Sequence, residues 1–151
     1  KASLRPSSVN QVVRKVLDFL SNELKRQQIE LITDLAPDLP KANLDQDLFY
    51  RALLNILMNS LQAMTEDGQL QVSTCRSPSG GIELAIRDTG GGMSEEKMQQ
   101  IFTPFFTDKN KGTGLGLAIT KTIIDSHDAE ITVQSEEGKG TTFTVTLPQA
   151  I

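Results

Sequence analysis

The stretch Leu53–Met64, LLNILMNSLQAM, decides how this chain is read. Leucine, isoleucine and methionine recur on nearly every turn, which predicts a helix packed against a core. Two asparagines, Asn55 and Asn59, interrupt the apolar pattern four residues apart. That spacing stacks both amides on one face, one turn above the other. A buried primary amide without a partner costs roughly 1–3 kcal/mol. A single one reads as a structural amide bonded to neighbouring backbone. Two on the inward face also fit a hard cation carrying phosphates, because an amide oxygen is a good magnesium ligand.

Outward from this helix, the pattern predicts one mixed α/β domain over residues 1–151. Asn43 or Asp45 caps the helix that ends near Met64. Upstream, Val9, Val12, Val13, Val16, Leu17, Leu20 and Leu24 form an i, i+3, i+4, i+7 stripe. They predict one helix from Ser8 to Gln27, capped by Ser7 or Ser8. IELITDL (Ile29–Leu35) alternates as a strand. LQVSTCR and IELAIRD alternate around SPSGG as a hairpin, and EITVQSE and TTFTVTLP form a second one around EGKG. SEEKMQQIF is a short helix capped by Ser94, and LGLAITKTIIDSH is a third long helix. Three main helices on one face of a mostly antiparallel mixed sheet give a two-layer α/β sandwich.

Composition narrows the function classes. Of 151 residues, 38% are hydrophobic and 23% charged, with a formal net charge of −4. No Lys/Arg-rich block suggests nucleic acid, and no apolar run is long enough to span a bilayer. The single cysteine, Cys75, excludes an internal disulfide and fits a reducing compartment. The chain begins at Lys1 instead of Met, as a piece of a longer protein would.

Three further segments carry polar or glycine residues at the margins of well-patterned elements. RDTGGGM (Arg87–Met93) sets Asp88 at a strand end before three glycines. It reads either as a solvated loop or as a carboxylate aimed into a pocket rimmed by bare backbone. KGTGLGLAI (Lys111–Ile119) opens glycines onto a helix N-terminus, where free N–H groups and the helix dipole favour an anion. It matches neither a P-loop nor a dinucleotide fingerprint. EGKGTTF (Glu137–Phe143) alone is a hairpin turn.

Taken together and in order, these segments resemble the nucleotide-binding domain of bacterial sensor histidine kinases. That domain has the Bergerat-type fold shared with gyrase, heat-shock chaperone and mismatch-repair ATPases. NILMNSLQAM resembles the N box, DTGGGM and GTGLGLAI the two glycine boxes, IFTPFFTDK the F box and GKGTTF the last box. The short FFTDKNKGTGLGL segment is most similar to the nitrogen-regulator branch.

The resemblance implies a set of roles. Asn59 becomes the Mg2+ ligand, and Asn55 faces the phosphates where ATP-hydrolysing cousins carry a glutamate. Asp88 meets the adenine amino group, with Gly90, Gly92 and Thr141 in the same pocket. Gly112, Thr113, Gly114, Leu115 and Gly116 surround the phosphates, and Lys109 or Lys111 reaches them. Phe102, Phe105 and Phe106 pack beneath this segment or couple it to a partner. His127, the only histidine, is followed by Asp128 and Ala129 where the family carries two glycines, which places the turn geometry in question. The phosphoacceptor histidine belongs to a separate dimerisation domain. The implied function is Mg-ATP binding and transfer of the γ-phosphate to that histidine, and from there to a response regulator. The implied setting is the cytoplasm, with this domain monomeric. The alternatives are an anti-sigma-type serine protein kinase, a nucleotide-gated clamp ATPase and a non-catalytic nucleotide sensor. The absence of a glutamate at position 55 argues against the clamp.

Overall fold

The structure, a computed structural model, describes residues 2–64, 67–103 and 116–150. Its centre is the helix predicted from LLNILMNSLQAM. This helix, α3, runs Gln46–Ala63, and Asp45 caps it by accepting the Leu48 N–H at 3.2 Å. Phe49, Leu53, Ile56, Leu57 and Leu61 form one fully buried stripe along it. Each such side chain contributes roughly 1.5–3 kcal/mol when removed from water. Helix α1 (Val9–Phe19) packs on one flank and α5 (Gly116–Ser126) on the other.

Beneath the helices lies a five-stranded sheet. Its strands are β2 (Glu30–Leu35), β4 (Gln69–Arg76), β5 (Ile82–Asp88), β6 (Glu130–Glu136) and β7 (Gly140–Leu147). They lie in the order β2-β4-β5-β7-β6, antiparallel except for the β2–β4 pair. Alternation settles the register. Ile82, Leu84 and Ile86 face the helices, opposite Leu147, Val145 and Phe143 of β7. The opposite face presents Glu83, Arg87, Thr142, Thr144 and Thr146. A short helix, α4 (Glu95–Met98), follows β5 and is capped by Ser94 as expected. Among the described residues no helix is long and apolar enough to cross a membrane.

Two expectations need correction. The helix drawn from Ser8 to Gln27 is two helices, α1 and α2 (Ser21–Arg26), separated at Leu20. Ser21 and Asn22 follow the break, and such side chains compete with the backbone for hydrogen bonds. Leu20 and Leu24 stay buried across it, so the apolar period runs on and conceals the interruption. The second correction adds a small sheet, β1 (Arg5–Ser7) paired with β3 (Ala42–Leu44). Asn43 therefore belongs to a strand and is not the cap of α3. Three residues per strand are too few for a period-two signal.

The turn after α5 forms without glycine. Asp128 takes the left-handed conformation, with φ 53°, and Ala129 N–H closes onto Ile124 O at 3.2 Å. Aspartate tolerates this region better than most residues, and a β-branched side chain tolerates it least. Asp128→Gly should therefore be neutral or stabilising, and Asp128→Val should cost about 1–2 kcal/mol by urea denaturation.

Candidate functional site

Three successive rows of helix-facing side chains across the sheet are mainly apolar. The fourth, at the end where β5 stops, turns polar. It runs Leu70, Asp88, Thr141, Ser135 across β4, β5, β7 and β6. Asp88 is the final member of the Ile82, Leu84, Ile86 alternation, so the register that buries those residues buries its carboxylate too. It is 1% exposed.

Asp88 Oδ1 accepts the Gly90 N–H at 2.8 Å, and Oδ2 has no hydrogen-bond partner. Burial pushes the carboxyl's pKa above its ordinary 3.8. The Gly90 N–H, the Ser60 hydroxyl and the Thr141 backbone pull the other way. Thr141 lies beside it in a chain of polar contacts. The Ser135 hydroxyl donates to Gly140 O at 2.9 Å, accepts the Met93 N–H at 2.7 Å and lies 2.8 Å from Thr141 Oγ1. Ser135 and Ser60 were not singled out from the sequence. The signal was a serine in the buried register of each element: Ser135 after Ile131 and Val133, Ser60 one turn beyond Ile56.

The glycine segment forms a rim over this polar row. Gly92 has φ +73°, and a Cβ on it would stand 2.1 Å from Glu136 O. At Gly90 a Cβ would stand 2.6 Å from Ala63 O, at the end of α3. Gly138 N–H donates to Gly91 O at 2.7 Å and ties the β6–β7 turn to the same rim. At Gly90 and Gly92 side chains would push these backbones apart, so glycine is required at those two positions by close approach.

Asn55 and Asn59 are half-buried instead of lying in the core. Met58 on the same helix is partly exposed, so this side of α3 borders open space. Asn55 Nδ2 donates to Gly116 O at 3.2 Å, joining α3 to the first residue of α5. The Thr120 hydroxyl donates to the same carbonyl at 2.9 Å. Lys109, Lys111, Gly112, Thr113, Gly114, Leu115, Phe105 and Phe106 lie outside the described residues. Phe102 is described, and it meets Phe143 edge-on with centroids 6.5 Å apart, a packing role.

His127 is not part of this site. It is 2% exposed, its Nε2 accepts the Asp45 N–H at 3.0 Å, and its Nδ1 lies 2.8 Å from Ile123 O. Nδ1 must then carry the proton, and both ring nitrogens are engaged. Asp45 stands at the opposite end of α3 from Asn59, about 20 Å along the helix axis at 1.5 Å per residue.

The chemistry available is specific. A buried acceptor oxygen without a partner suits a donor on a bound molecule. The amides of α3 suit a hard cation brought in with phosphates. Among the described residues no cluster of His, Cys, Asp and Glu is present to hold a metal by itself.

Residues 44–151 match the family described as "Histidine kinase-, DNA gyrase B-, and HSP90-like ATPase", and the chain belongs to that family. Membership implies ATP binding. Sensor histidine kinase ZraS of Escherichia coli (strain K12) is 35% identical over 146 residues, 97% of this chain and 31% of that protein. Sporulation kinase E of Bacillus subtilis (strain 168) is 35% identical over 140 residues, 93% of this chain and 19% of that protein. The chain thus spans about a third or less of the length of these curated relatives. The solved catalytic domain of histidine kinase ThkA superimposes with a TM-score of 0.88 at 25% identity, covering 97% of this chain and 96% of that one.

The buried carboxylate has a consequence for stability. With its folded pKa raised above 3.8, the native state holds Asp88's proton more tightly than the unfolded chain does. Stability therefore falls as pH rises from the unfolded value through the folded one, and the full penalty stands above both. Asp88→Asn keeps an oxygen for the Gly90 N–H and removes the buried charge. It should raise the Tm at about pH 7 and remove that decline while weakening ATP binding, read by thermal melts across pH and by calorimetric titration.

Proposed function

We propose that this chain is the catalytic, ATP-binding part of a sensor histidine kinase. It binds Mg-ATP and donates the γ-phosphate to a histidine on a separate dimerisation domain. The observation that carries the reading is Asp88 Oδ2, buried without a partner beneath a glycine rim. Adenine presents an amino donor for that oxygen. Guanine presents a carbonyl oxygen there, which would face a negative charge. The names and lengths of the aligned relatives support the remainder of the proposal.

In this reading Asn59 would supply the protein's oxygen to magnesium, which would neutralise phosphate charge. Asn55 stands beside the phosphates. An amide cannot take a proton from water, so Asn55 offers no base for hydrolysis; the site should hydrolyse ATP poorly and hold the γ-phosphate for another nucleophile. Lys109 or Lys111 adds positive charge to the phosphates, and the segment Gly112, Thr113, Gly114, Leu115 and Gly116 supplies backbone N–H groups. Transfer breaks the bond between the γ-phosphorus and the β–γ bridging oxygen. It forms a phosphorus–nitrogen bond to the acceptor imidazole and leaves ADP. The partners are that acceptor domain and, after it, a response regulator. This domain alone is monomeric, and the nitrogen-regulator branch remains the proposed lineage.

The engagement of both His127 nitrogens yields one test. The isolated chain should bind Mg-ATP and acquire no acid-labile phosphate when incubated with γ-labelled ATP. Stable label on His127 would defeat the proposal.

A second test isolates the metal. Asn59→Ala should weaken binding of Mg-ATP by the weight of one charge-assisted contact, about 1.5–3 kcal/mol or roughly ten- to a hundredfold. In excess chelator the same variant should bind ATP nearly as wild type does. Equal losses in both conditions would make Asn59 a structural amide.

A further inference from the structure

One buried hydroxyl at the polar end of the sheet has no role in the reading so far. Ser60 sits on the inward stripe of α3 and is 0% exposed. Its Oγ has no hydrogen-bond partner, and among the described residues the other buried side-chain N or O atom in that condition is Asp88 Oδ2. The hydroxyl is near enough to favour the ionised carboxylate, yet the two do not meet as a formed hydrogen bond. The orphaned atoms are of opposite kind, because a hydroxyl can donate and an ionised carboxylate only accepts. Native interiors seldom leave such groups unpaired, so each calls for a partner supplied from elsewhere.

Thr141 cannot serve as the donor. The Ser135 hydroxyl already spends its proton on Gly140 O at 2.9 Å. In the 2.8 Å contact between Ser135 and Thr141, the proton must therefore come from Thr141. Of the three hydroxyls Ser60, Ser135 and Thr141, only Ser60 keeps an uncommitted proton.

The Watson–Crick edge of adenine carries the complement of this pair: a donor at the 6-amino group and, next to it, an acceptor at N1. We propose that Ser60 is a second base-reading residue, donating to adenine N1 directly or through one water while Asp88 accepts from the 6-amino group. The inference rests on the reading of this pocket as the ATP site. A 6-oxopurine inverts both positions, offering an oxygen to Asp88 and an N1–H to the Ser60 hydroxyl. Base selection then rests on two adjacent atoms held by two different elements, α3 and β5.

Two ATP analogues separate the contributions. 1-Deaza-ATP keeps the amino group and replaces N1 by carbon. Purine riboside triphosphate keeps N1 and lacks the amino group. Calorimetric titration of wild type should find 1-deaza-ATP bound about three- to tenfold more weakly than ATP, the weight of one neutral hydrogen bond. Ser60→Ala should bind the two alike and still prefer ATP to purine riboside triphosphate. If wild type binds 1-deaza-ATP as tightly as ATP, or if Ser60→Ala keeps the full gap, Ser60 does not read the base. If wild type is indifferent to loss of the amino group, the ATP reading of the pocket fails, and this inference with it. Wild-type indifference to the loss of N1 overturns the inference even if Ser60→Ala folds poorly, and in that case Ser60→Cys, of similar shape with a weaker donor, should narrow the gap in its place.

Discussion

Asp88 is held out of water with only one of its two oxygens satisfied inside the protein. Moving a carboxylate into a protein interior is costly unless hydrogen bonds replace its hydration. The surroundings of Asp88 replace that hydration only in part. The Gly90 N–H serves one oxygen at 2.8 Å, which requires the chain to double back immediately after β5. The doubled-back segment lies against the end of α3 at Gly90 and against the end of β6 at Gly92, so these two positions have no space for side chains. The glycine run, the polar fourth row and the end of the central helix are thus answers to a single electrostatic demand.

The same helix is fixed at its other end by a different device. Asp45 uses its side chain to cap α3 and its backbone N–H to donate to His127. Its carboxylate also accepts the Ser3 N–H at 3.0 Å, and that contact holds its pKa below the usual value. β1 and β3 carry the start of the chain to this point, and α5 delivers His127 to it. A histidine buried against Phe49 and bonded at both nitrogens is a structural fastener. It sets where α3 lies over the sheet, and so how its far end, with Asn55, Asn59 and Ser60, meets the row containing Asp88.

Much of this was legible in the residues. The α3 stripe, the two hairpins and the caps at Asp45 and Ser94 follow from period and from side-chain chemistry, which act over a few residues. Asp88 was legible for the same reason, since it continues an alternation that otherwise buries isoleucine and leucine. The break at Leu20 was hidden because the apolar period persists across it. The β1–β3 pair was hidden because its signal is three residues long. Ser60 and Ser135 were hidden because a lone serine on a buried face is ordinary, and only its lack or choice of partner distinguishes it.

The sequence by itself determined the element types, the side of each element that is buried and the positions where glycine or a short polar side chain interrupts the pattern. Those are local properties, written in periods of two and 3.6 residues. Only the tertiary structure decided which interruptions meet. The sheet register sets Asp88 beside Thr141, and the packing of α3 sets Ser60 over Asp88. The left-handed Asp128 replaces an expected glycine, and the seat of α5 commits His127 to Asp45. Each of these depends on residues far apart in the chain, and no local pattern encodes their distance.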